Sequence, residues 1–286
     1  MTPSVYDARR CQLGEGPLWH PLRKQLFWFD ILGKKLLSQT KKGAVEWEFD
    51  APVSAAGWLD FETLLIASST GLWQFDLADG SKSLLASLEQ TNAMTRSNDG
   101  RADPWGGFWI GTMGIDAQPG AGAVYRYHQG QLRKLFGQIT ISNAICFAPN
   151  RQFAYFTDTA EAKLMQVPLD RAGWPAGNTT VLIDFRPDNM NPDGAIVDAQ
   201  SALWIALWGA GRVASYSADG VFQHSIEVPA AHTTCPAFGG EEMTTLFVTS
   251  AMQGIDSKEI QENTSHGQTF AIANAGEGRA EPKVIL

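Results

Sequence analysis

One short pattern of aromatic and aliphatic residues recurs six times along this chain, and this repetition constrains the fold more than any other feature. Successive copies begin 38, 44, 46, 49 and 43 residues apart, close to the interval of about 40 to 50 residues that is typical of one propeller blade per repeat. The copies are LFWFDI from Leu26, LLIASS from Leu64, FWIGTM from Phe108, AYFTDT from Ala154, LWIALW from Leu203 and LFVTSA from Leu246.

Each copy is flanked by two further strand-like segments, one before it and one after a short turn. No segment of helical period interrupts them, except for a weak pattern around Leu84 to Met94. The sequence therefore predicts an all-β chain, with residues 1–286 forming a single six-bladed β-propeller whose ring closure protects the strand edges. We expect the N-terminal SVYDARR to complete the last blade beside the C-terminal strands.

Composition and charge limit the possible partners. The chain has 286 residues, of which 44% are hydrophobic, and its net charge of -8 argues against binding to nucleic acid or to an anionic membrane. No apolar run is long enough to span a membrane, and the start has no apolar core of signal-peptide length, so we expect a cytoplasmic protein. The three cysteines are far apart and indicate buried apolar residues instead of disulfides or a thiolate zinc site.

One position of the repeat carries polar side chains in most copies. It lies ten or eleven residues before each aromatic segment, at the start of a predicted innermost strand. Equivalent strands of a propeller run in the same direction, so these residues should gather at one end of the central channel. They are Glu15, Ser54, Asn98, Asn143, Asp193 and Cys235.

Two carboxylates at this position predict a cation. At about 5 Å apart they repel by roughly 3 kcal/mol at an effective dielectric constant of about 20, so Glu15 and Asp193 need a cation or a proton between them. An oxygen-only set suits Ca²⁺, Mg²⁺ or Mn²⁺, and Zn²⁺ and Fe²⁺ also accept such ligands. Asn-Asp-Gly and Pro-Asp-Gly are also common turn sequences, so each residue alone fits a turn. Their shared register favours one divalent metal site.

Four longer segments stand out along the chain: LGEGPLWHP, RSNDGRADPWGGFWIGTM, ISNAICFAPN and NPDGAIVDAQSALWIALWGAGRV. Together they resemble the SMP-30/gluconolactonase/LRE family, also known as the regucalcin-like lactonases. The resemblance runs in order through nearly the whole chain. It implies a six-bladed propeller that binds one divalent cation in its channel and hydrolyses sugar lactones.

The resemblance also implies roles for individual residues. It makes Glu15, Asn143 and Asp193 the metal ligands. Arg96 and Asn98 fall at positions that contact substrate, with Asn98 sometimes reaching the metal through water. Asp116 falls where some relatives have a glutamate that follows the Gly-Thr-Met segment, but here the residue is shorter and lies in the glycine-containing segment GIDAQPGAGA.

The chemistry of lactone hydrolysis requires a polarised carbonyl, a nucleophilic water and a group that accepts and returns a proton. Asp193 is the candidate catalytic residue for the proton, and Arg96 would hold substrate oxygens through its several donors. The expected partner is a small aldonolactone such as xylono-, arabinono-, galactono- or gluconolactone, with the protein a monomer or a weak homo-oligomer.

Two other functions stay open at this point. One is a non-catalytic propeller that binds another protein, and the other is a phosphotriesterase-like hydrolase that uses the same metal. The sequence has no Gly-x-Ser-x-Gly, His-Glu-x-x-His or phosphate-binding loop motif. Among the tryptophans, Trp19, Trp105 and Trp208 lie near the proposed site in sequence and are candidates for sugar contacts.

Overall fold

The computed structural model of the protein describes residues Met1–Leu286 and contains twenty-four β-strands. The strands follow one another as antiparallel ladders of four, which we call units 1 to 6 in chain order. The N-terminal strand β1 is Ser4–Asp7. The first, innermost strands of the units are β2 (Gly14–His20), β6 (Val53–Trp58), β10 (Thr95–Ala102), β14 (Ser142–Phe147), β18 (Asn191–Val197) and β22 (His232–Gly239).

The remaining strands of each unit continue outward from the innermost one. The second strands are β3 (Gln25–Asp30), β7 (Thr63–Ser68), β11 (Phe108–Gly114), β15 (Phe153–Asp158), β19 (Leu203–Trp208) and β23 (Thr245–Ala251). The third strands are β4 (Lys35–Thr40), β8 (Gly71–Asp76), β12 (Gly122–His128), β16 (Lys163–Pro168), β20 (Arg212–Tyr216) and β24 (Thr269–Ile272). The fourth strands are β5 (Gly43–Glu48), β9 (Lys82–Ser87), β13 (Gln131–Ile139), β17 (Thr180–Asp184) and β21 (Phe222–Glu227).

The units are arranged in a closed ring. Each innermost strand packs against the innermost strand of the next unit, and β22 of unit 6 packs against β2 of unit 1. The fourth strand of unit 6 is β1, which pairs antiparallel with β24, so the two ends of the chain share one unit. The prediction that the N-terminal segment completes the last blade is confirmed.

The core is divided among the junctions between units. Six buried apolar clusters lie between neighbouring units, one at each junction of the ring. A second strand is therefore covered on both faces, which is why β3 is buried throughout, whereas the outermost β5 has no buried residue. This difference explains why the second strands read as continuous apolar runs.

The all-β, propeller-like arrangement predicted from the repeat is confirmed. The hydrogen-bonded sheets, however, number five, because a single residue pair, Trp208 with His232, joins units 5 and 6 into one eight-stranded sheet. The helical pattern at Leu84 to Met94 was wrong, since it begins inside β9 and continues as turns. Leu85 and Leu88 of this segment pack in the cluster between units 2 and 3, whereas Leu84 and Met94 are exposed. All three cysteines are free and buried, as predicted.

The single α-helix, α1 (Ser257–Glu262), has six residues and was not predicted from the sequence. It begins where Asp256 accepts a hydrogen bond from the Lys258 backbone, a common N-cap that the search for repeats overlooked. No helix of the structure is long and apolar enough to cross a membrane.

An ion pair between the buried Asp7 and the half-buried Arg9 lies at the junction where the ring closes. Asp7 ends β1, and its carboxylate accepts hydrogen bonds from Arg9 Nε at 3.0 Å and Nη2 at 2.8 Å. The same guanidinium donates to the carbonyls of Ser38 and Val45 in unit 1, at 2.8 and 3.0 Å. The pair therefore ties unit 6 to unit 1.

We predict that Asp7→Ala destabilises the fold by about 1.5 to 3 kcal/mol, because it leaves the guanidinium without its carboxylate at this junction. The matched control is Asp184→Ala. Asp184 pairs with Arg186 two residues later, just as Asp7 pairs with Arg9, but it is exposed on unit 4. Urea unfolding of both variants, followed by tryptophan fluorescence, measures the difference. Equal shifts of the two midpoints would contradict a special role of the closing junction.

Candidate metal and active site

A cavity of about 620 Å³ opens at one end of the central channel. Its wall is formed by residues at the starts of innermost strands and by residues of the turns that follow second strands. The structure brings all of the residues predicted for the site to this one cavity. They are Glu15, Arg96, Asn98, Asp116, Asn143 and Asp193.

A backbone irregularity occurs at the repeated polar position in every unit. The pairing between the innermost and second strands shifts register there, as in a β-bulge, and a bulge changes the direction of the side chains that it carries. The shifts lie between Glu15 and Leu18, Val53 and Ala55, Ser97 and Gly100, Asn143 and Cys146, Pro192 and Ala195, and Thr233 and Pro236.

Two bulges require backbone conformations with positive φ. Gly16 has φ of 54°, and a Cβ added there would lie 2.2 Å from the Ser54 carbonyl oxygen, so only glycine fits beside the next unit. Ala144 has φ of 55°, which is rare for a residue with a side chain. These are the residues directly after Glu15 and Asn143, so the local strain lies where the site is built.

Two carboxyl groups meet at the buried end of the cavity. Glu15 and Asp193 are only 4% and 5% exposed, and both line this cavity. Burial raises the pKa of Glu15 to about 8, and the charge of Asp99 adds to this increase. Burial, followed by the charge of Glu15, raises the pKa of Asp193 well above its usual value. The two carboxyl groups therefore resist being ionised together unless a positive charge lies near them.

Arg96 is the one basic residue that lines this cavity. Burial lowers its pKa to about 10, although the charges of Glu15 and Asp193 oppose the change. The guanidinium is therefore still a cation at neutral pH. One such charge cannot balance two carboxylates, so the arrangement favours either a shared proton or a bound cation.

A directed chain of hydrogen bonds fixes the two asparagine side chains. Arg96 Nη1 donates to Asn98 Oδ1 at 2.6 Å, and Asn98 Nδ2 donates to Asn143 Oδ1 at 2.9 Å. Asn143 Nδ2 then donates to Thr159 Oγ1 at 2.9 Å, and that hydroxyl donates to the Pro192 carbonyl at 2.8 Å. Because a guanidinium can only donate, the first bond sets the orientation of every amide that follows.

This chain makes the two asparagines different. The Asn98 oxygen accepts from Arg96, and its nitrogen donates both to Asn143 and to the Ser142 carbonyl at 2.9 Å. The two oxygens each accept one hydrogen bond and keep a second lone pair. They differ in the donor, because Asn98 Oδ1 accepts from the charged guanidinium of Arg96, whose positive charge opposes a cation at that oxygen, whereas Asn143 Oδ1 accepts from a neutral amide.

The donor set fits a hard divalent cation. The structure contains no group of three or more His, Cys, Asp and Glu side chains that could hold a metal, so a site here needs a neutral ligand as well. Glu15 and Asp193 supply two carboxylates and Asn143 supplies the amide oxygen, a combination that Ca²⁺, Mg²⁺ and Mn²⁺ accept.

Asp116 lies apart from the buried cluster. It follows β11 in an exposed turn at the edge of the cavity, as the glycine-containing sequence around it indicated. Its backbone N–H and its carboxylate both contact the side chain of Gln118, at 3.2 and 3.3 Å.

Among the tryptophans near the site in sequence, only Trp208 lines the cavity. Its ring stacks on His232 with centroids 4.1 Å apart, which holds an apolar face at the cavity wall. Trp19 instead stacks on Phe247 in the core, and Trp105 donates to the Arg171 carbonyl away from the cavity.

Sequence reasoning missed Thr159, which lines the cavity and orients Asn143. It is the last residue of the aromatic segment AYFTDT, at a position where the other copies share no residue type. A search for repeated residues could not find it for that reason.

The chain is similar to known proteins over most of its length. The family described as "SMP-30/Gluconolactonase/LRE-like region" matches residues 13–252. A putative sugar lactone lactonase of Rhizobium meliloti (strain 1021) is 40% identical over 96% of this chain and 94% of its own. A 6-deoxy-6-sulfogluconolactonase of Pseudomonas putida is 32% identical over 94% of each chain.

Solved structures are similar over the whole length. The crystal structure of regucalcin from Agrobacterium tumefaciens str. C58, described as a calcium-binding protein, has a TM-score of 0.96 and 40% identity over 99% of this chain and 97% of that one. The match to the family extends over most of the chain, from before Glu15 to beyond Asp193. The chain therefore belongs to the SMP-30/gluconolactonase/LRE-like family.

Proposed function

We propose that this protein is a metal-dependent lactonase that hydrolyses a sugar-acid lactone to the aldonic acid. The observation that carries the proposal is the buried pair of Glu15 and Asp193 carboxyls beside the Asn143 oxygen, in a cavity with room for a sugar ring. The lactonase relatives support the reaction. A propeller that only binds proteins has no need to bury two carboxyls together against their mutual repulsion.

The proposal includes the six-bladed form of the fold as one domain of residues 1–286. The two halves of the eight-stranded sheet, units 5 and 6, share only one residue pair, and an apolar cluster lies between them as it does between the other units, so each counts as a blade. The pseudo-equivalent bulges of the six units then surround one channel, and three of them provide the proposed ligands.

Glu15, Asn143 and Asp193 are the proposed ligands of one divalent cation, which is Ca²⁺, Mg²⁺, Mn²⁺, Zn²⁺ or Fe²⁺. When bound, such a cation supplies Lewis acidity toward the ester carbonyl and lowers the pKa of water. The buried carboxyls supply the negative charge that favours binding, and Asn143 adds a neutral oxygen without further repulsion.

Asp193 is the proposed catalytic residue. Its carboxylate accepts a proton from the attacking water and returns it to the ring oxygen as the ester bond breaks. Arg96 and Asn98 are proposed to bind substrate, with the unused N–H groups of Arg96 donating to lactone oxygens and stabilising the developing oxyanion. Trp208 and Asp116 both line the cavity, and we propose that Trp208 packs against the sugar and that Asp116 contacts a distal hydroxyl.

Two expectations from the sequence stay predictions: the cytoplasmic location, and a monomer or weak homo-oligomer as the assembled state.

The function is tested by turnover of xylono-, arabinono-, galactono- and gluconolactone and of a phosphotriester. We expect lactone hydrolysis that chelation abolishes and that added divalent ion restores. Asp193→Asn keeps an oxygen but loses basicity, so its rate should fall by about a hundredfold or more. A protein that hydrolyses the phosphotriester but none of the lactones, or a fully active Asp193→Asn variant, would contradict the assignment.

A second prediction separates the two asparagines. Asn143→Ala removes a ligand, so metal affinity should fall and activity should recover in part as the divalent ion is raised. Asn98→Ala removes a substrate contact, so kcat/KM should fall at saturating metal by the equivalent of about 1 to 3 kcal/mol. Each variant serves as the control for the other.

Metal titration by calorimetry and by rate measures both effects. If Asn98→Ala loses the metal and Asn143→Ala binds it like the parent protein, the proposed ligand set is wrong even for an active lactonase.

A further inference from the structure

A second layer of charged side chains fills the channel next to the cavity. Asp99, Arg101 and Glu281 are 3%, 8% and 8% exposed, and none of them lines the cavity. Asp99 and Arg101 lie on β10 just after Asn98, whereas Glu281 comes from the C-terminal segment that follows the last strand. The repeat pattern assigns no role to any of the three.

Arg101 connects the strands that carry two of the proposed ligands. Its Nε donates to the Ile145 carbonyl at 3.1 Å, and its Nη2 donates to the Ala195 carbonyl at 3.1 Å. These carbonyls stand two residues after Asn143 and two after Asp193, in or at the end of the two bulges. One rigid, planar guanidinium thus reaches from unit 3 to the bulges of units 4 and 5.

Asp99 forms a further hydrogen bond to the backbone of unit 4. Its Oδ2 accepts the Ile145 backbone N–H at 2.6 Å. Both backbone polar groups of Ile145 are therefore held by side chains of unit 3. This fixes the backbone of the bulge that orients Asn143.

Glu281 provides the counter-charge for Arg101. Its carboxylate forms an ion pair with Arg101 Nη1, and both side chains are buried. Its backbone carbonyl accepts from Trp58 Nε1 at 2.7 Å, which attaches the C-terminal segment to unit 2. The Val284 and Ile285 N–H groups donate to the carbonyls of Trp58 and Gly106, so the segment runs on to unit 3.

We propose that Arg101, held in place by Glu281, is a positioning residue for the metal site. Its hydrogen bonds to the carbonyls of Ile145 and Ala195 set the separation of Asn143 and Asp193. Because Glu281 holds Arg101 in place, the C-terminal segment contributes to metal affinity. This inference rests on the ligand set of the proposed function. A buried pair that served only to stabilise the fold would need no donors directed at both bulges.

The test compares Glu281→Gln with Asp103→Asn. Asp103 forms an ion pair with Arg126 Nε at 2.6 Å, also on unit 3, and both side chains are completely buried. Neither residue lines the cavity or contacts a bulge, so Asp103→Asn removes a charge from an equally buried pair away from the site. Three quantities are measured: the melting temperature without metal, the Kd for Mn²⁺ by calorimetry, and kcat at saturating Mn²⁺.

We expect Glu281→Gln to weaken Mn²⁺ binding by about tenfold to a hundredfold, with kcat near the parent value once Mn²⁺ saturates. Asp103→Asn should lower the melting temperature but leave the Kd within about twofold. Arg101→Lys is the second variant, because an ammonium keeps the charge but lacks the planar fork that reaches both carbonyls. It should weaken Mn²⁺ binding as well.

An unchanged Kd in both Glu281→Gln and Arg101→Lys would overturn the inference and leave the proposed function intact. An equal loss of affinity in Asp103→Asn would also overturn it, since general destabilisation would then be the cause. Parent protein that binds no divalent ion would instead overturn the metal site, and this inference with it.

Discussion

The repulsion between two buried carboxyls, Glu15 and Asp193, is the constraint on which the site depends. Each is almost completely buried, and burial raises the pKa of both. Bringing them together costs free energy unless a proton or a cation is present. In the proposed site a metal ion would offset this repulsion, which is why we place the cation between these two side chains. We therefore interpret the rest of the channel as support for these two side chains.

That support acts in two layers. Next to the proposed ligands, the hydrogen-bond chain from Arg96 to the Pro192 carbonyl fixes which atom of each amide faces which neighbour. Further along the same strands, Arg101 and Asp99 hold the backbone of the bulges. Side-chain orientation and backbone position are thus set by different groups of residues. Both groups are largely buried, and hydrogen bonds are stronger in the protein interior than in water.

The repeat made most of the fold and much of the site predictable. Equivalent positions of equivalent strands must meet around one axis, so Glu15, Asn98, Asn143 and Asp193 could be brought together without knowing any contact. The pattern also placed the N-terminal strand beside β24, as observed. It could not anticipate the single pair, Trp208 with His232, that merges two units into one sheet, because the pair depends on local geometry.

What escaped prediction lies outside the repeat. Glu281 belongs to a segment with no counterpart in other units. In the sequence, its partner Arg101 resembles any charged residue of a strand. Thr159 and the capped helix after Asp256 occupy connections between strands, where each unit differs from the next. A repeat pattern identifies only residues that recur from unit to unit. Residues with a role in one unit alone are recognised from their contacts in the structure.

The most direct measurement is anomalous diffraction from crystals of the protein grown with Mn²⁺. If a cation joins the buried carboxyls, one strong peak will lie within about 2.6 Å of carboxylate oxygens of both Glu15 and Asp193 and of Asn143 Oδ1. Both carboxyls will then contact the same ion. A peak elsewhere in the molecule, with no ion between Glu15 and Asp193, would contradict the account.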